Sequence, residues 1–140
     1  MAGWLLKLQA EAGWQLDAVV PVPLAFVRKQ QRGYNQVELI ASPFAEALDL
    51  PLDRNTLRRV RDTGSQVGLD HVARRSNLDG AFRAEPHSCA DKSILVIDDL
   101  LTSGATMVAC AEALFAAGAT AVYGLTVARA ARGDRRGKLK

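Results

Sequence analysis

Cysteine is scarce in this sequence, and its placement excludes two common kinds of small protein. Only Cys89 and Cys110 occur among 140 residues, and neither has a second Cys or a His at the close spacing that zinc sites use. The two histidines, His71 and His87, also stand apart from any companion ligand. A disulfide-stapled scaffold and a zinc ribbon are therefore both excluded within this stretch of chain.

Long apolar runs are missing as well. The longest stretch without a charged residue, Ala113 to Ala128, is 16 residues long, whereas a membrane-spanning helix needs roughly 20 apolar residues. Near the start, Lys7 and Glu11 interrupt the apolar residues, so a signal peptide is not indicated. From these patterns we expect no membrane partner and a cytoplasmic location.

The composition that is present is typical of one globular domain. The chain is 49% hydrophobic and 24% charged, and its length is that of a single domain. The net charge of +3 is uneven, because residues 129–140 carry six basic residues against one acidic residue. We expect a short helix within residues 1–16, a domain over 17–128 and a basic tail over 129–140. The tail is either a solvated terminus or a contact for nucleic acid.

Strand-like and helix-like segments alternate along the chain, which indicates an α/β sheet. Strands are predicted at 17–23, 56–60, 81–84, 93–97 and 120–128, and helices at 3–15, 35–48 and 104–117. Pro43 lies inside the second helix, and we expect it to cause a kink or a restart with Ser42 as the cap. Residues 61–80 show no clear hydrophobic periodicity, which indicates a functional loop with short helical turns around 72–76.

The segment from 94 to 106 contains the main candidate ligand-binding residues. Asp98 and Asp99 follow an apolar strand, and the carboxyl ends of parallel strands are where α/β sheets bind ligands. A bend rich in hydroxyl groups and glycine then opens a helix, and its amides suit a phosphate group; its residues are Thr102, Ser103, Gly104, Ala105 and Thr106. Carboxylates suit sugar hydroxyls and Mg²⁺. The combination predicts a ribose 5-phosphate bound across the strand end.

Two alternatives bear on this segment. The two aspartates could simply end a strand, with a hydroxyl group capping the helix that follows. A Walker-type ATPase also has an apolar strand that ends in two acidic residues, but it requires a G-x-x-x-x-G-K-[ST] loop, which this sequence lacks.

The residues from Ile94 to Met107, ILVIDDLLTSGATM, resemble the motif with which type I phosphoribosyltransferases bind 5-phosphoribosyl 1-pyrophosphate (PRPP). Other segments resemble the ComF/GntX family, namely Val20–Pro23 (VPVP) and Arg32–Gln36 (RGYNQ). A spaced set completes the resemblance, which extends over about 17–128: Arg61, Thr63, Gln66, Leu69, Arg75, Asn77, Ala81 and Phe82.

The resemblance implies a three-layer, parallel-sheet type I phosphoribosyltransferase fold with a reduced or missing hood. ComF proteins usually begin with a cysteine-rich zinc ribbon and a segment that could serve as the hood over the acceptor base, and this sequence starts after them. Either the chain is truncated, or the helix at 3–15 and a partner subunit, as in a homodimer, complete the acceptor pocket.

The resemblance also implies a role for each part of the site. Asp98 and Asp99 would be the catalytic pair that binds the ribose 2- and 3-hydroxyls and holds Mg²⁺, directly or indirectly. Residues 102–106 would cradle the 5-phosphate. The pyrophosphate loop would comprise Pro21, Val22, Pro23 and Leu24, with Arg28, Lys29 and Arg32 neutralising pyrophosphate unless they form a solvated basic patch. The lid that closes over the site would contribute Arg61, Gln66, Arg74, Arg75 and Asn77.

The activity that follows is magnesium-dependent transfer of phosphoribose to an unidentified nitrogen acceptor, with release of pyrophosphate. A 6-oxopurine acceptor is not supported, because enzymes of that class have a carboxylate where this chain has Thr102. Two alternatives stay open. One is a non-catalytic accessory protein for DNA uptake that binds single-stranded DNA or a helicase-type partner. The other is a PRPP sensor whose lid closes without turnover.

Overall fold

The computed structural model describes residues 2–24, 31, 33–61, 70–101 and 103–129. Its helices are α1 (Ala2–Ala12), α2 (Gln36–Leu48), α3 (His71–Leu78), α4 (Pro86–Cys89) and α5 (Ala105–Ala116). Its strands are β1 (Ala18–Pro21), β2 (Leu57–Arg59), β3 (Phe82–Ala84), β4 (Ser93–Leu101) and β5 (Ala121–Arg129). The alternation predicted from the sequence is confirmed.

The main sheet is parallel, with the strand order β1-β4-β5. The central strand β4 is apolar from Ile94 to Ile97 because both of its faces are buried. Its start is fastened to the residue before β1: the backbone N–H of Asp17 donates to the carbonyl of Ser93 at 2.8 Å, and the N–H of Ser93 donates to Asp17 Oδ2, also at 2.8 Å.

The predicted end of β4 was wrong. The apolar run stops at Ile97, but the strand continues to Leu101. The reason is that pairing with β5 continues beyond the run, from Asp98 opposite Thr126 to Leu101 opposite Arg129. The two aspartates therefore lie within the last part of the strand rather than closing it.

Helices and a small ribbon cover the two faces of the sheet, which gives the expected three layers. On one face the core contains Val19, Leu95, Ile97 and Leu125 from the strands, with Val37, Ala41, Phe44 and Ala45 from α2. On the other face it contains Val20, Ile94 and Val96, with Cys110 and Leu114 from α5 and with Leu57 and Phe82 from the antiparallel β2–β3 ribbon. Successive strand residues alternate between these two cores.

The helix α2 runs without a break through Pro43. Asn35 caps its start by accepting the N–H of Val37 at 3.0 Å. Since one helix spans Gln36 to Leu48, the expected restart at Ser42 was wrong, while the alternative of a kink at Pro43 stays a prediction. Proline costs the helix about 3 kcal/mol, but buried apolar residues lie on both sides of it, at Ala41 and Phe44. Their continuous packing on the sheet offsets the lost hydrogen bond.

None of the helices in the described ranges has the length and apolar character that a bilayer crossing requires. The predicted division into residues 1–16, 17–128 and 129–140 stays a prediction, since residues 130–140 lie outside the described part of the chain.

Candidate functional site

A small pocket lies at the carboxyl end of β4, where the strand meets the bend before α5. We call it the Asp98 pocket; it has a volume of about 10 Å³. Its lining residues are Asp98, Leu100, Leu101, Gly104, Thr106 and Met107. The acidic strand end and the predicted phosphate bend are thus brought together. Because such a volume holds about one water molecule, a sugar phosphate would lie across the mouth of the pocket.

The pleat of β4 determines which way Asp98 faces. Ile94 and Val96 belong to the core on the α5 side, and Asp98 is the next residue in that alternating series. Its carboxyl group is half-buried, and this burial is the main reason why its pKa rises to about 6. The backbone N–H of Asp99 donates to Asp98 Oδ1 at 2.8 Å and lowers the pKa, while the side chain of Asp99 raises it.

Asp99 is half-buried beside Asp98, and the charge of its carboxylate disfavours ionisation of its neighbour. A hydroxyl group that donates to these oxygens, or a cation between them, would relieve the repulsion. The pair is therefore suited to sugar hydroxyls and to a hard cation.

The bend before α5 has no charged side chain, so its backbone amides are the groups that can bind an anion. Gly104 is the N-cap residue, with φ +82°, a left-handed conformation that glycine adopts without strain. Ser103 Oγ accepts the N–H of Ala105 at 3.3 Å. Because the first N–H groups of a helix have no acceptor within it, the amides of Thr106 and Met107 at the start of α5 are suited to binding an anion. Thr102 lies outside the described residues.

The turn after β1 is held directly beside the acidic pair. The N–H of Val22 donates to the carbonyl of Ile97 at 2.9 Å, next to Asp98. Since Pro21 and Pro23 have no N–H, Leu24 carries the remaining amide of this turn. The role of the turn as a pyrophosphate loop stays a prediction, and Arg28, Lys29 and Arg32 lie outside the described residues.

Asn35 is a positioning residue whose role the sequence did not reveal. It is buried, caps α2, and donates from Nδ2 to the carbonyl of Val22 at 3.1 Å. The sequence does contain a signal for the cap, because asparagine is a favoured N-cap residue directly before an amphipathic helix. Asn35 thus fixes the turn after β1 to α2 at the edge of the site.

Arg59 on β2 is a second residue that the sequence did not single out. Its guanidinium lies 5.4 Å from the centre of the Phe82 ring. Burial, followed by the Asp98 charge, raises the pKa of the Cys110 thiol, and Arg59 acts in the opposite direction. The guanidinium of Arg59 and the carboxyl group of Asp98 therefore both lie close enough to Cys110 to affect its pKa.

Two of the predicted lid residues, Arg61 and Arg75, make contacts that involve α3 and α5. The guanidinium of Arg61 donates to the carbonyls of Asn77, at 2.9 Å, and Asp79, so it holds the C-terminal end of α3. Arg75 forms an exposed ion pair with Glu112 of α5 at 3.6 Å. The contacts shown for Arg61 and Arg75 do not involve the Asp98 pocket. Gln66 lies outside the described residues.

Arg74 differs from its neighbour Arg75 in its surroundings. Its side chain is partly buried, and its Nε atom has no hydrogen-bond partner within the described ranges. The predicted contact between Arg74 and a ligand stays a prediction.

The Arg61 contacts lead to a stability prediction. Arg61→Ala should loosen α3 by about 1 kcal/mol, because it removes charge-assisted hydrogen bonds to carbonyls at a helix end. Amide hydrogen exchange within 71–78 should then be roughly fivefold faster. Arg83, which is exposed on β3, offers a matched control in Arg83→Ala. Equal exchange rates in the two variants would show that Arg61 does not anchor the helix.

A larger pocket, of about 650 Å³, lies between α3 and α5. It reaches the site at Ala105, and its other lining residues include Val72, Val108, Arg75 and Glu112. The last two are already paired with each other. Size alone therefore favours this pocket, whereas the grouping of carboxylates and helix-end amides favours the Asp98 pocket.

The chain is similar to known proteins in sequence. The family model of the phosphoribosyl transferase domain matches residues 13–138. The competence protein F of Haemophilus influenzae is 36% identical over 93 residues, 65% of this chain and 41% of that protein. The DNA utilization protein YhgH of Salmonella typhimurium is 36% identical over 119 residues, 84% of this chain and 52% of that protein. The competence protein ComFC of Bacillus subtilis is 32% identical over 112 residues, 79% of this chain and 44% of that protein. The chain thus spans about half the length of the curated relatives it matches.

A solved structure with a similar fold is the glutamine PRPP amidotransferase of Bacillus subtilis complexed with ADP and GMP. It superimposes with a TM-score of 0.57 at 22% identity, over 85% of this chain and 24% of that protein. The allosteric regulatory enzyme of purine biosynthesis gives a TM-score of 0.56 at 22% identity, over 85% and 23% of the two chains. At this identity the likeness concerns the fold.

Proposed function

The chain belongs to the phosphoribosyl transferase domain family, in the ComF group, and from this membership we propose that it binds PRPP with Mg²⁺ at the Asp98 pocket. The proposed reaction is transfer of phosphoribose to a nitrogen acceptor with release of pyrophosphate. One observation carries the proposal: Asp98 and the bend at Gly104 and Thr106 line the same pocket.

The separation of charges in the site supports a sugar phosphate as the ligand. The carboxylates of Asp98 and Asp99 accept hydrogen bonds and repel phosphate, so they suit the ribose hydroxyls. The amides of Thr106 and Met107, at the positive end of α5, attract the 5-phosphate. A ligand with hydroxyls at one end and a phosphate at the other matches both parts.

The donor atoms also fit a magnesium ion that is shared with the substrate. Within the described ranges no group of three or more His, Cys, Asp or Glu residues forms a complete metal site. Mg²⁺ commonly uses one or two carboxylates and completes its shell with water and substrate oxygens. Asp98 and Asp99 would hold it, and when bound it would neutralise charge on the pyrophosphate.

In the proposed reaction the bond between ribose C1 and pyrophosphate breaks, and its electron pair leaves with pyrophosphate. A bond forms between C1 and the acceptor nitrogen on the opposite face, and the proton of that nitrogen passes to solvent. The residues of the chain act mainly by position: Asp98 and Asp99 orient the pentose, and the α5 bend fixes its phosphate.

Titration calorimetry with PRPP tests the proposal. We expect binding in the presence of Mg²⁺ and much weaker binding after chelation. Pyrophosphate release measured with a panel of nitrogen bases then separates an enzyme from a PRPP sensor. If the chain binds neither PRPP nor ribose 5-phosphate at any Mg²⁺ concentration, the proposed function is wrong.

A second candidate function comes from the names of the relatives, which include competence protein F and DNA utilization protein. We propose single-stranded DNA as the alternative ligand, bound through the basic tail. Deleting residues 130–140 removes five basic residues and one acidic residue, and leaves the pairing of Arg129 with Leu101 in place.

A tail that neutralises about four phosphates should make DNA binding fall roughly 50-fold between 50 and 200 mM salt. The deletion should abolish this dependence while leaving PRPP affinity unchanged, as fluorescence anisotropy and calorimetry would show. Replacing the five basic residues with glutamine separates charge from length. Equal DNA affinity in the full and shortened chains would exclude the tail as the contact.

A further inference from the structure

A glycine on β5 leaves space that a side chain of α5 fills. A Cβ atom at residue 124 would lie 2.9 Å from Met107 Sδ, closer than Cβ atoms approach in proteins, and 3.0 Å from Met107 Cγ, which is tighter than most Cβ contacts. Met107 therefore rests on the backbone of Gly124. Because the close atoms include Cγ, near the root of the side chain, a turn of the terminal methyl group alone would not relieve the contact.

This contact is adjacent to the Asp98 pocket. Gly124 pairs with Val96, and two residues further along the same face Thr126 pairs with Asp98. Met107 belongs to the lining of the pocket together with Asp98 and Thr106. Its side chain thus packs on β5 at Gly124 and forms an apolar wall of the pocket that Asp98 also lines.

The surroundings limit where Met107 can go. On the core side, Cys110 and Leu114 are fully buried and closely packed. Gly124 itself is exposed, and β5 is an edge strand among the described residues. A side chain at residue 124 would therefore push Met107 either into the pocket or out past the edge, and both movements alter the wall.

We propose that Met107 is a ligand-contacting residue, the wall on which the carbon face of the pentose packs, and that Gly124 is the positioning residue that keeps it there. This inference rests on the proposed function of the Asp98 pocket. It assigns to Gly124 a role in ligand affinity that acts through Met107 alone.

A double-mutant cycle tests this dependence. Gly124→Ala should weaken PRPP binding about fivefold or more in the wild-type background and less than twofold in the Met107→Ala background. Val127→Ile is the matched control, because it adds one carbon on the same strand at an exposed position and should leave affinity unchanged. Full effect of Gly124→Ala in both backgrounds would overturn the inference.

Met107→Ala provides a readout that does not depend on how Gly124→Ala folds. It adds no atoms, and it should weaken ribose 5-phosphate and PRPP about fivefold while leaving inorganic pyrophosphate affinity unchanged. Equal losses for all three ligands, or no loss for any, would overturn the role of Met107 as the pentose wall.

The methyl group of Met107 can also be observed directly, because the chain has only two methionines, Met1 and Met107. With ¹³C-methyl methionine, ribose 5-phosphate should shift the Met107 signal and leave the Met1 signal in place. A bound ligand that leaves Met107 unshifted overturns the inference but not the proposed function. A wild-type protein that binds no sugar phosphate overturns both.

Discussion

Replacement of Asp98 by asparagine should weaken magnesium-dependent PRPP binding by at least about 100-fold. Hydrogen bonds to a charged acceptor contribute about 1.5 to 3 kcal/mol each, and each 1.4 kcal/mol is a factor of ten. Asparagine keeps the oxygen that accepts the N–H of Asp99, so the local backbone has no reason to change. Titration calorimetry at fixed Mg²⁺ measures the loss, and Asp99→Asn should act in the same direction.

Asp91, near the opposite end of β4, allows the same aspartate-to-asparagine substitution as a control. Asp91 is exposed, has φ 61° and precedes the start of the strand, and asparagine also tolerates this left-handed conformation. Asp91→Asn should leave PRPP affinity unchanged. If Asp98→Asn also binds PRPP as the wild type does, the carboxylates do not contact the ligand.

The same Asp98→Asn substitution should stabilise the metal-free protein at neutral and higher pH. Burial raises the pKa of Asp98 from 3.8 to about 6. Between these two values the unfolded chain has released its proton while the folded chain still holds it, so stability falls as the pH rises. Such a difference corresponds to about 3 kcal/mol, and solvent screening of the half-exposed group reduces the expected gain to about 1 to 2 kcal/mol.

Urea denaturation at pH 4 and pH 8, with a chelator present, measures this effect. At pH 8 asparagine should exceed the wild type in the free energy of unfolding, because asparagine does not ionise. At pH 4 the two proteins should agree closely, because the wild-type carboxyl group is then protonated in the folded state. An equal gain at both pH values would mean that ionisation of Asp98 is not the cause.

Together these two results would show opposite signs for one substitution, a loss of binding and a gain of stability. That combination is expected of a group retained for function at a cost to the fold. It also separates the interpretation of Asp98 as a ligand-binding residue from the interpretation that it merely ends a strand, since a structural role would make its removal destabilising.

Much of the fold was predictable because the relevant signals are local. The apolar run at Ile94–Ile97 and the alternation of strands and helices located β4, α5 and β5. The errors came where tertiary packing outweighs a local rule. Pairing with β5 extended β4 past its apolar residues, and burial of Ala41 and Phe44 carried α2 through a proline.

The candidate site likewise has parts that local sequence signals predict and parts that depend on tertiary contacts. Asp98 and the bend at Gly104 are close together in the sequence, so the sequence alone is enough to infer their shared chemistry. Asn35 and Met107 lie within segments that resemble family motifs, but their contacts with the carbonyl of Val22 and with Gly124 join positions distant in sequence, so the motifs do not predict these contacts. Glycine inside a strand usually weakens it, so the residue type alone does not point to Gly124. The role proposed for Gly124 depends on the side chain of Met107 that packs against it.

The fastening of β1 to β4 also sets when the site can form during folding. Asp17 and Ser93 are 76 positions apart in the sequence, and closing so long a loop is slow compared with forming local helices. The turn after β1 has no acidic partner beside it until that closure occurs. A nascent chain that ends before Ser93 therefore has neither the central strand nor a ligand site, and we expect binding competence and the cooperative core to appear in the same late kinetic phase.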